Sequence, residues 1–274
     1  MTTEKNWTGE RLATFIVNEN MVEHLHRYAI AQGYARGRRV LDIACGEGYG
    51  SNLLAQVAQE VTGVDIDEPT IREAAQKYRR PNLTFRAGSA DRIPMEDGAV
   101  DLVVSFETLE HLSAHTEMLS EIRRVLSAGG ILLLSTPDKK RYSDLRNYRN
   151  PFHARELYAA EFEALVRGQF RYAAFLHQQY LSGSLVFERG NAGTLTTFSG
   201  SYEMVSGNAE PEGMYLIAVA SNDAAATLSP GHSFFTGEHL VEAAVAEAVR
   251  RVRASRSYRL GSLLLSPFKL FRRK

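Results

Sequence analysis

The sequence predicts an α/β fold: a mostly parallel seven-stranded sheet with helices on both faces. Two observations carry that expectation. Short apolar, β-branched runs alternate along the chain with segments of helical periodicity, which is the pattern of βαβ units. The 274 residues, 44% hydrophobic and 23% charged, suffice for one large core and have ordinary globular composition.

Strands are expected at 39–44, 60–65, 82–86, 99–106 and 130–136, with two more near 170–177 and 213–220. Helices fit between them at 48–58, 68–79, 114–127 and 155–167. A helix at 20–32 precedes the first strand, where a lid over a bound ligand would come from. Residues 181–211 are rich in Gly, Ser, Thr and Asn and read as an insertion over the substrate side. The expected organisation is therefore a lid at 1–36, a main domain at 37–221, a linker at 222–236, and a basic helical tail at 237–274.

The formal net charge of zero argues against nucleic-acid binding by bulk charge. It hides an asymmetry, because nine of the 32 Lys and Arg fall in residues 249–274, where there is no acid. Cys45 is the only cysteine, so no internal disulfide is possible, and the residues from Met1 to Lys5 do not resemble a signal peptide. A cytoplasmic location is expected. No apolar run approaches the roughly 20 residues of a membrane-spanning helix.

The most informative segment is Val40-Leu41-Asp42-Ile43-Ala44-Cys45-Gly46-Glu47-Gly48-Tyr49-Gly50, an apolar strand that turns through alternating glycines into a helix. Glycine takes up positive φ and lets the backbone approach a ligand closely. The spacing Gly46-x-Gly48-x-Gly50 is not the dinucleotide fingerprint, in which a pyrophosphate rests on the helix N-terminus. At the end of the next strand, 19 residues past Gly46, Asp65 can accept both hydroxyls of a ribose, and Ile66 can lie against a nucleobase. That pair supports nucleoside binding of any kind.

Two further segments follow in order: Ala87-Gly88-Ser89-Ala90-Asp91-Arg92-Ile93-Pro94, then Val100-Asp101-Leu102-Val103-Val104-Ser105-Phe106-Glu107-Thr108-Leu109-Glu110-His111-Leu112. With them, residues 38–137 resemble the class I methyltransferases of the methyltransferase 11 type, which have a Rossmann-like sheet. The resemblance implies S-adenosyl-L-methionine as cofactor, with Gly46 and Gly48 along its methionine part, Asp65 on its ribose and Ser89-Ala90 beside its adenine; Ala44 and Phe106 are expected at the same site. Asp42, just before the turn, is placed to help hold the cofactor ammonium. This sequence has Ala44 where many members have glycine, a change the turn is expected to tolerate. Ser89 stands where many have an aspartate, a role Asp91 could assume. Thr8-Gly9-Glu10-Arg11, residues 23–28 and residues 150–157 resemble a bacterial subfamily associated with polysaccharide and lipopolysaccharide assembly.

Methyl transfer is an in-line displacement, and a sugar hydroxyl as acceptor needs a general base. Two histidines are candidates. Glu107 and His111, four apart at the start of a helix, can both face the carboxyl edge of the sheet, with Glu107 orienting His111. Alternatively His153, in a helical first turn capped by Asn150, Pro151 and Glu156, is the base, and it is the preferred one. In the lid, Arg27 and Tyr28 are expected to hold the cofactor carboxylate, while Glu23 is a surface partner of Arg27. No acid–histidine spacing suggests a metal.

The tail carries Leu260, Leu263, Leu264, Leu265, Phe268, Leu270 and Phe271 among its cations, which suits an anionic membrane interface; packing on protein, including a glycosyltransferase, is the alternative. Gly261 and Pro267 are expected to interrupt any single long helix. The leading expectation is O-methylation of a sugar in a bacterial surface glycan or its precursor. Methylation of a quinone or other small metabolite, and a non-catalytic scaffold, stand as alternatives.

Overall fold

The computed structural model describes residues 12–181, 198–200, 204–207 and 213–269. Thr8, Gly9, Glu10 and Arg11, most of the expected insertion at 181–211, and residues 270–274 lie outside the described residues. Along the chain come α1 (Glu19–Ala35), β1 (Arg39–Ile43), α2 (Tyr49–Leu54), β2 (Glu60–Asp65), α3 (Glu68–Lys77), β3 (Leu83–Ala87) and β4 (Val100–Phe106). Then follow α4 (His115–Val125), β5 (Leu126–Pro137), α5 (Ala159–Gln169), β6 (Tyr172–Gln178), β7 (Phe198–Gly200), β8 (Val205–Gly207), β9 (Tyr215–Ser221), α6 (Glu238–Ala254) and α7 (Arg256–Lys269).

The expected sheet is present, with seven strands in the order β3-β2-β1-β4-β5-β9-β6. Strands β1 to β5 are parallel, and β9 runs antiparallel between β5 and β6. Among the described residues, strands β7 and β8 pair with each other. The chain lays β2 and β3 on one side of β1 and β4 on the other, so a crevice opens at the carboxyl ends of β1 and β4, where open α/β sheets bind ligands.

Strand periodicity divides the core into two. Leu41 and Ile43 of β1, Val103 of β4, and Leu132 and Leu134 of β5 pack with Met118, Ile122 and Phe162 of α4 and α5. Val40, Leu102, Val104, Ile131 and Leu133 face the other way, onto Tyr28, Ala31 and Leu54 of α1 and α2. Asn18 caps α1 by accepting from the Met21 N–H at 3.3 Å.

Helical boundaries depart from expectation at three places, the first being the end of α2 at Leu54 rather than at 58. The helix expected at 155–167 starts only at Ala159. Asn150 accepts from the Phe152 N–H at 3.0 Å in a local turn, and the Glu156 carboxylate is taken by His153 at 2.6 Å, so neither residue starts a helix. Glu161 instead accepts from the Tyr158 N–H at 3.0 Å. In the tail the break falls at Ser255, whose hydroxyl accepts from the Tyr258 N–H at 3.3 Å, and α7 runs through Gly261 and Pro267.

Candidate active site

The turn after β1 is left-handed at three residues: Ala44 (φ 56°), Gly46 (φ 52°) and Gly48 (φ 78°). Ala44 is therefore not free of cost, since a side chain in that region loses about 1–2 kcal/mol. The Cys45 N–H donates to Val64 O at 3.0 Å and the Gly46 N–H to Asp65 Oδ2 at 3.0 Å, tying the turn to β2. Asp65 Oδ1 accepts from the Asp67 N–H at 2.9 Å. A Cβ at Gly46 would meet nothing within 4 Å, so bare backbone faces open space. At Gly48 a Cβ would lie 2.7 Å from the Phe85 ring. Gly48 is thus needed to pack α2 against β3 and, contrary to expectation, is not on the cleft wall.

A cleft of about 460 Å³ opens over the carboxyl ends of β1 and β4. Tyr28, Ala44, Gly46, Asp65, Ile66, Ser89, Ala90 and Phe106 line one part of it, and Glu107, Glu110, His111, Tyr142, Asn150, His153 and Tyr215 line another. Ile66 is 73% exposed on this surface. Ser89 Oγ donates to Asp91, which does not itself line the cleft.

Two expected cofactor residues lie elsewhere. Period-two alternation points Asp42 at α1 and α2, away from the cleft. It is buried there, accepting from Ser51 Oγ at 2.6 Å and Tyr28 Oη at 3.2 Å. Burial pushes its carboxyl up to about 7, against the opposing effect of these hydrogen bonds. Arg27 is 1% exposed and stands behind the cleft wall. Its Nε donates to Gln178 Oε1 at 2.6 Å, its guanidinium lies 4.5 Å over the Tyr215 ring, and Nη1 is 3.2 Å from Glu107 Oε1. The pair with Glu107 is close but poorly aligned, so both Nη atoms lack a hydrogen bond among the described residues. Glu23 is buried rather than on the surface; burial raises its carboxyl to about 7, with Arg27 opposing.

Glu107 and His111 share the cleft but not a helix, because only one 3₁₀ turn, Leu109–His111, follows β4. Glu107 has φ 53° and accepts from Ser135 Oγ at 2.6 Å, so it serves Arg27 and β5 rather than orienting His111. His111 Nδ1 lies 3.0 Å from Phe152 O. A carbonyl only accepts, so this nitrogen carries the proton. His153 Nδ1 is 2.6 Å from Glu156 Oε1, and its Nε2 is 3.0 Å from Asn150 Nδ2. Both ring nitrogens of the preferred base are therefore engaged.

Glu110 anchors this corner. It is 1% exposed, accepts from Thr136 Oγ1 at 2.9 Å, and through its carbonyl holds the Ala154 and Arg155 N–H groups at 2.8 and 3.1 Å. Burial and the neighbouring Glu107 hold its carboxyl well above the usual range. Glu110, His111 and His153 present atoms within 4.8 Å of one another, a cluster that no sequence spacing indicated. Tyr142 stacks on His153 with ring centroids 5.3 Å apart, and Tyr215 lies 6.3 Å from Tyr142. Sequence reasoning passed over both tyrosines; the aromatic and basic residues around 142–149 were the available signal.

The methyltransferase domain family matches residues 41–134, which span the turn, Asp65 and the strands beneath the cleft. In this core the chain is similar to S-adenosylmethionine-dependent methyltransferases. A probable S-adenosylmethionine-dependent methyltransferase of Mycolicibacterium smegmatis is 41% identical over 162 residues, 58% of this chain and 62% of that protein. A demethylmenaquinone methyltransferase of Beutenbergia cavernae is 40% identical over 110 residues, 39% of this chain and 45% of that protein. The chain thus spans 62% and 45% of the length of these two relatives. The crystal structure of a methyltransferase from Thermotoga maritima shares the fold, with a TM-score of 0.54 and 18% identity over 75% of this chain and 91% of that one.

The cleft suits S-adenosylmethionine as a ligand. Open backbone at Gly46, a nearly buried carboxylate at Asp65 and an exposed aliphatic shelf at Ile66 suit a ligand with a sugar and a flat base. Replacing Asp65 with alanine removes the carboxylate expected at the ribose and frees the Gly46 and Asp67 N–H groups, so titration calorimetry should show S-adenosylmethionine binding weakened by about 1–3 kcal/mol. Tight NAD binding without any response to S-adenosylmethionine would contradict this.

Asp42 gives the domain a pH dependence. With its folded pKa raised to about 7, the native state holds more protons than the unfolded chain from about pH 4 to 7. Its contribution to stability is therefore greatest below that window and declines as pH rises through it. Chemical denaturation at several pH values should show a flatter profile for Asp42→Asn, and an unchanged slope would remove Asp42 as the cause.

Proposed function

We propose that this chain transfers the methyl group of S-adenosylmethionine to a sugar hydroxyl of a bacterial surface glycan or its nucleotide-linked or lipid-linked precursor. The observation that carries this reading is the lining of the cleft beyond the cofactor residues, where Glu107, Glu110, His111, Tyr142, Asn150, His153 and Tyr215 offer polar edges and aromatic faces. Sugars are held by such a mixture, whereas a quinone calls for apolar walls. Residues 139–155 add Lys139, Lys140, Arg141, Arg146, Arg149 and Arg155 against the single acid Asp144, which supports an acceptor that carries phosphate. The quinone reading is supported by the name of the Beutenbergia relative.

In this reading Gly46 faces the methionine part, Asp65 accepts the ribose hydroxyls, and Ile66, Ser89, Ala90 and Phe106 surround the adenine end. When bound, the cofactor supplies a methyl group on a positively charged sulfur. The chain has to hold the acceptor oxygen about 3 Å from that carbon and keep water out. A sugar hydroxyl is hardly ionised at neutral pH, so the corner of Glu110, His111 and His153 must stabilise the oxygen as its proton leaves.

The tail is assigned to the cytoplasmic face of an anionic membrane. Val245, Val249 and Val252 form an exposed stripe on one side of α6, and exposed arginines at 250, 251, 253, 256 and 259 accompany it. No helix among the described residues is long and apolar enough to cross a membrane.

With a sugar acceptor, His111→Ala and His153→Ala should each lower turnover by about 10²–10⁴, with cofactor affinity nearly unchanged. Faster turnover of a demethylated quinone than of any phosphorylated sugar would overturn the glycan assignment. Deleting 250–274 should abolish co-sedimentation with anionic vesicles and leave methylation of a soluble acceptor intact; persistent sedimentation would refute the membrane assignment.

A further inference from the structure

We propose that Glu110, His111 and His153 bind a divalent first-row transition-metal cation at the acceptor end of the cleft. The three residues offer ligand atoms within 4.8 Å of one another. A tetrahedral ion bonded to nitrogen and oxygen at about 2.0–2.2 Å holds its ligands about 3.4 Å apart, so side-chain movements of about 1 Å complete the set.

The surroundings orient the donors as second partners do at metal centres. His111 gives its Nδ1 proton to Phe152 O at 3.0 Å, which makes Nε2 the lone-pair nitrogen of that ring. His153 points Nδ1 at the Glu156 carboxylate at 2.6 Å, and its Nε2 accepts from Asn150. Asn150 Oδ1 already holds the Phe152 N–H at 3.0 Å, so the atom facing His153 is the amide nitrogen and the imidazole presents a lone pair. A cation at Nε2 displaces that donor, which keeps its bond to Tyr142 Oη at 3.2 Å. Glu110 fixes one oxygen on Thr136 at 2.9 Å and has the other 4.0 Å from His111 Nε2. Its carbonyl clamps the Ala154 and Arg155 N–H groups, so the segment bearing His153 is tied to the one bearing Glu110 and His111.

Two imidazoles and one carboxylate suit Mn²⁺, Fe²⁺ or Zn²⁺ better than the all-oxygen preference of Ca²⁺ or Mg²⁺. Three protein ligands leave positions open toward the cleft. Resting on the glycan reading above, those positions would take two neighbouring hydroxyls of the sugar; an oxygen bound to the cation would release its proton to solvent more readily and then take the methyl group, leaving the cofactor's sulfur as a neutral thioether. The acceptor class narrows to sugars with a vicinal diol.

The test is calorimetric titration of the full chain with Mn²⁺ and with Zn²⁺, without cofactor or acceptor, supported by the electron paramagnetic resonance spectrum of bound Mn²⁺. One saturable site per chain is expected, weakened about tenfold or more in Glu110→Gln and in His111→Asn. His111 is partly exposed, so its variant keeps the test open should Glu110→Gln fail to fold. Absence of saturation by either cation up to about 1 mM, an affinity of only about −4 kcal/mol, overturns the proposal, as does equal binding by the variants. A sugar methylated at full rate after removal of bound cations by a chelator would reject the metal and leave the glycan reading standing. Cation binding together with methylation only of a quinone would do the reverse.

Discussion

A guanidinium taken out of water needs compensating partners, and in this protein that requirement joins the parts of the site. Arg27 comes from helix α1, Gln178 from the last residue of β6, Tyr215 from the first residue of β9, and Glu107 from just beyond β4. An uncompensated buried charge costs about 3–5 kcal/mol, so none of these elements can shift independently of the others. The same network holds Glu107 at φ 53°, a conformation that only surrounding structure can maintain. Helix α1 is thereby fixed to the edge of the sheet where the cleft opens.

From that anchor the cofactor side is built by backbone. The turn after β1 offers bare main chain at Gly46, and Asp65 holds both the Gly46 and Asp67 N–H groups. The carboxylate that would meet a ribose is therefore also the one that shapes the turn. Asp42 works on the opposite face. It fastens Tyr28 and Ser51 to β1, and its chemistry is that of a buried acid closing the core under α1 and α2.

The other part of the cleft is built by side chains on loops. Residues 150–157 have no helix of their own and are held in place by Asn150, Glu156 and the carbonyl of Glu110. Tyr142 stacks against His153 and extends an aromatic surface toward Tyr215. A rigid Rossmann-like core with an acceptor wall made from loops is the arrangement by which one cofactor fold serves different substrates.

By itself the sequence determined the element order, the parallel sheet and the cofactor turn, because each rests on a local property. Periodicity over five to ten residues sets a strand or helix, glycine sets positive φ, and consecutive parallel strands bring Gly46 beside Asp65. Only the tertiary structure decided which way these residues face and what they touch. Asp42 and Gly48 stand in the right motif, yet one turns to α1 and α2 and the other packs on Phe85. Arg27 meets Gln178 across 151 residues of chain, and His153 joins Glu110 and His111 from a loop whose helix was expected too early. These pairings depend on burial and on hydrogen-bond partners supplied by segments remote in sequence, and no local spacing encodes them.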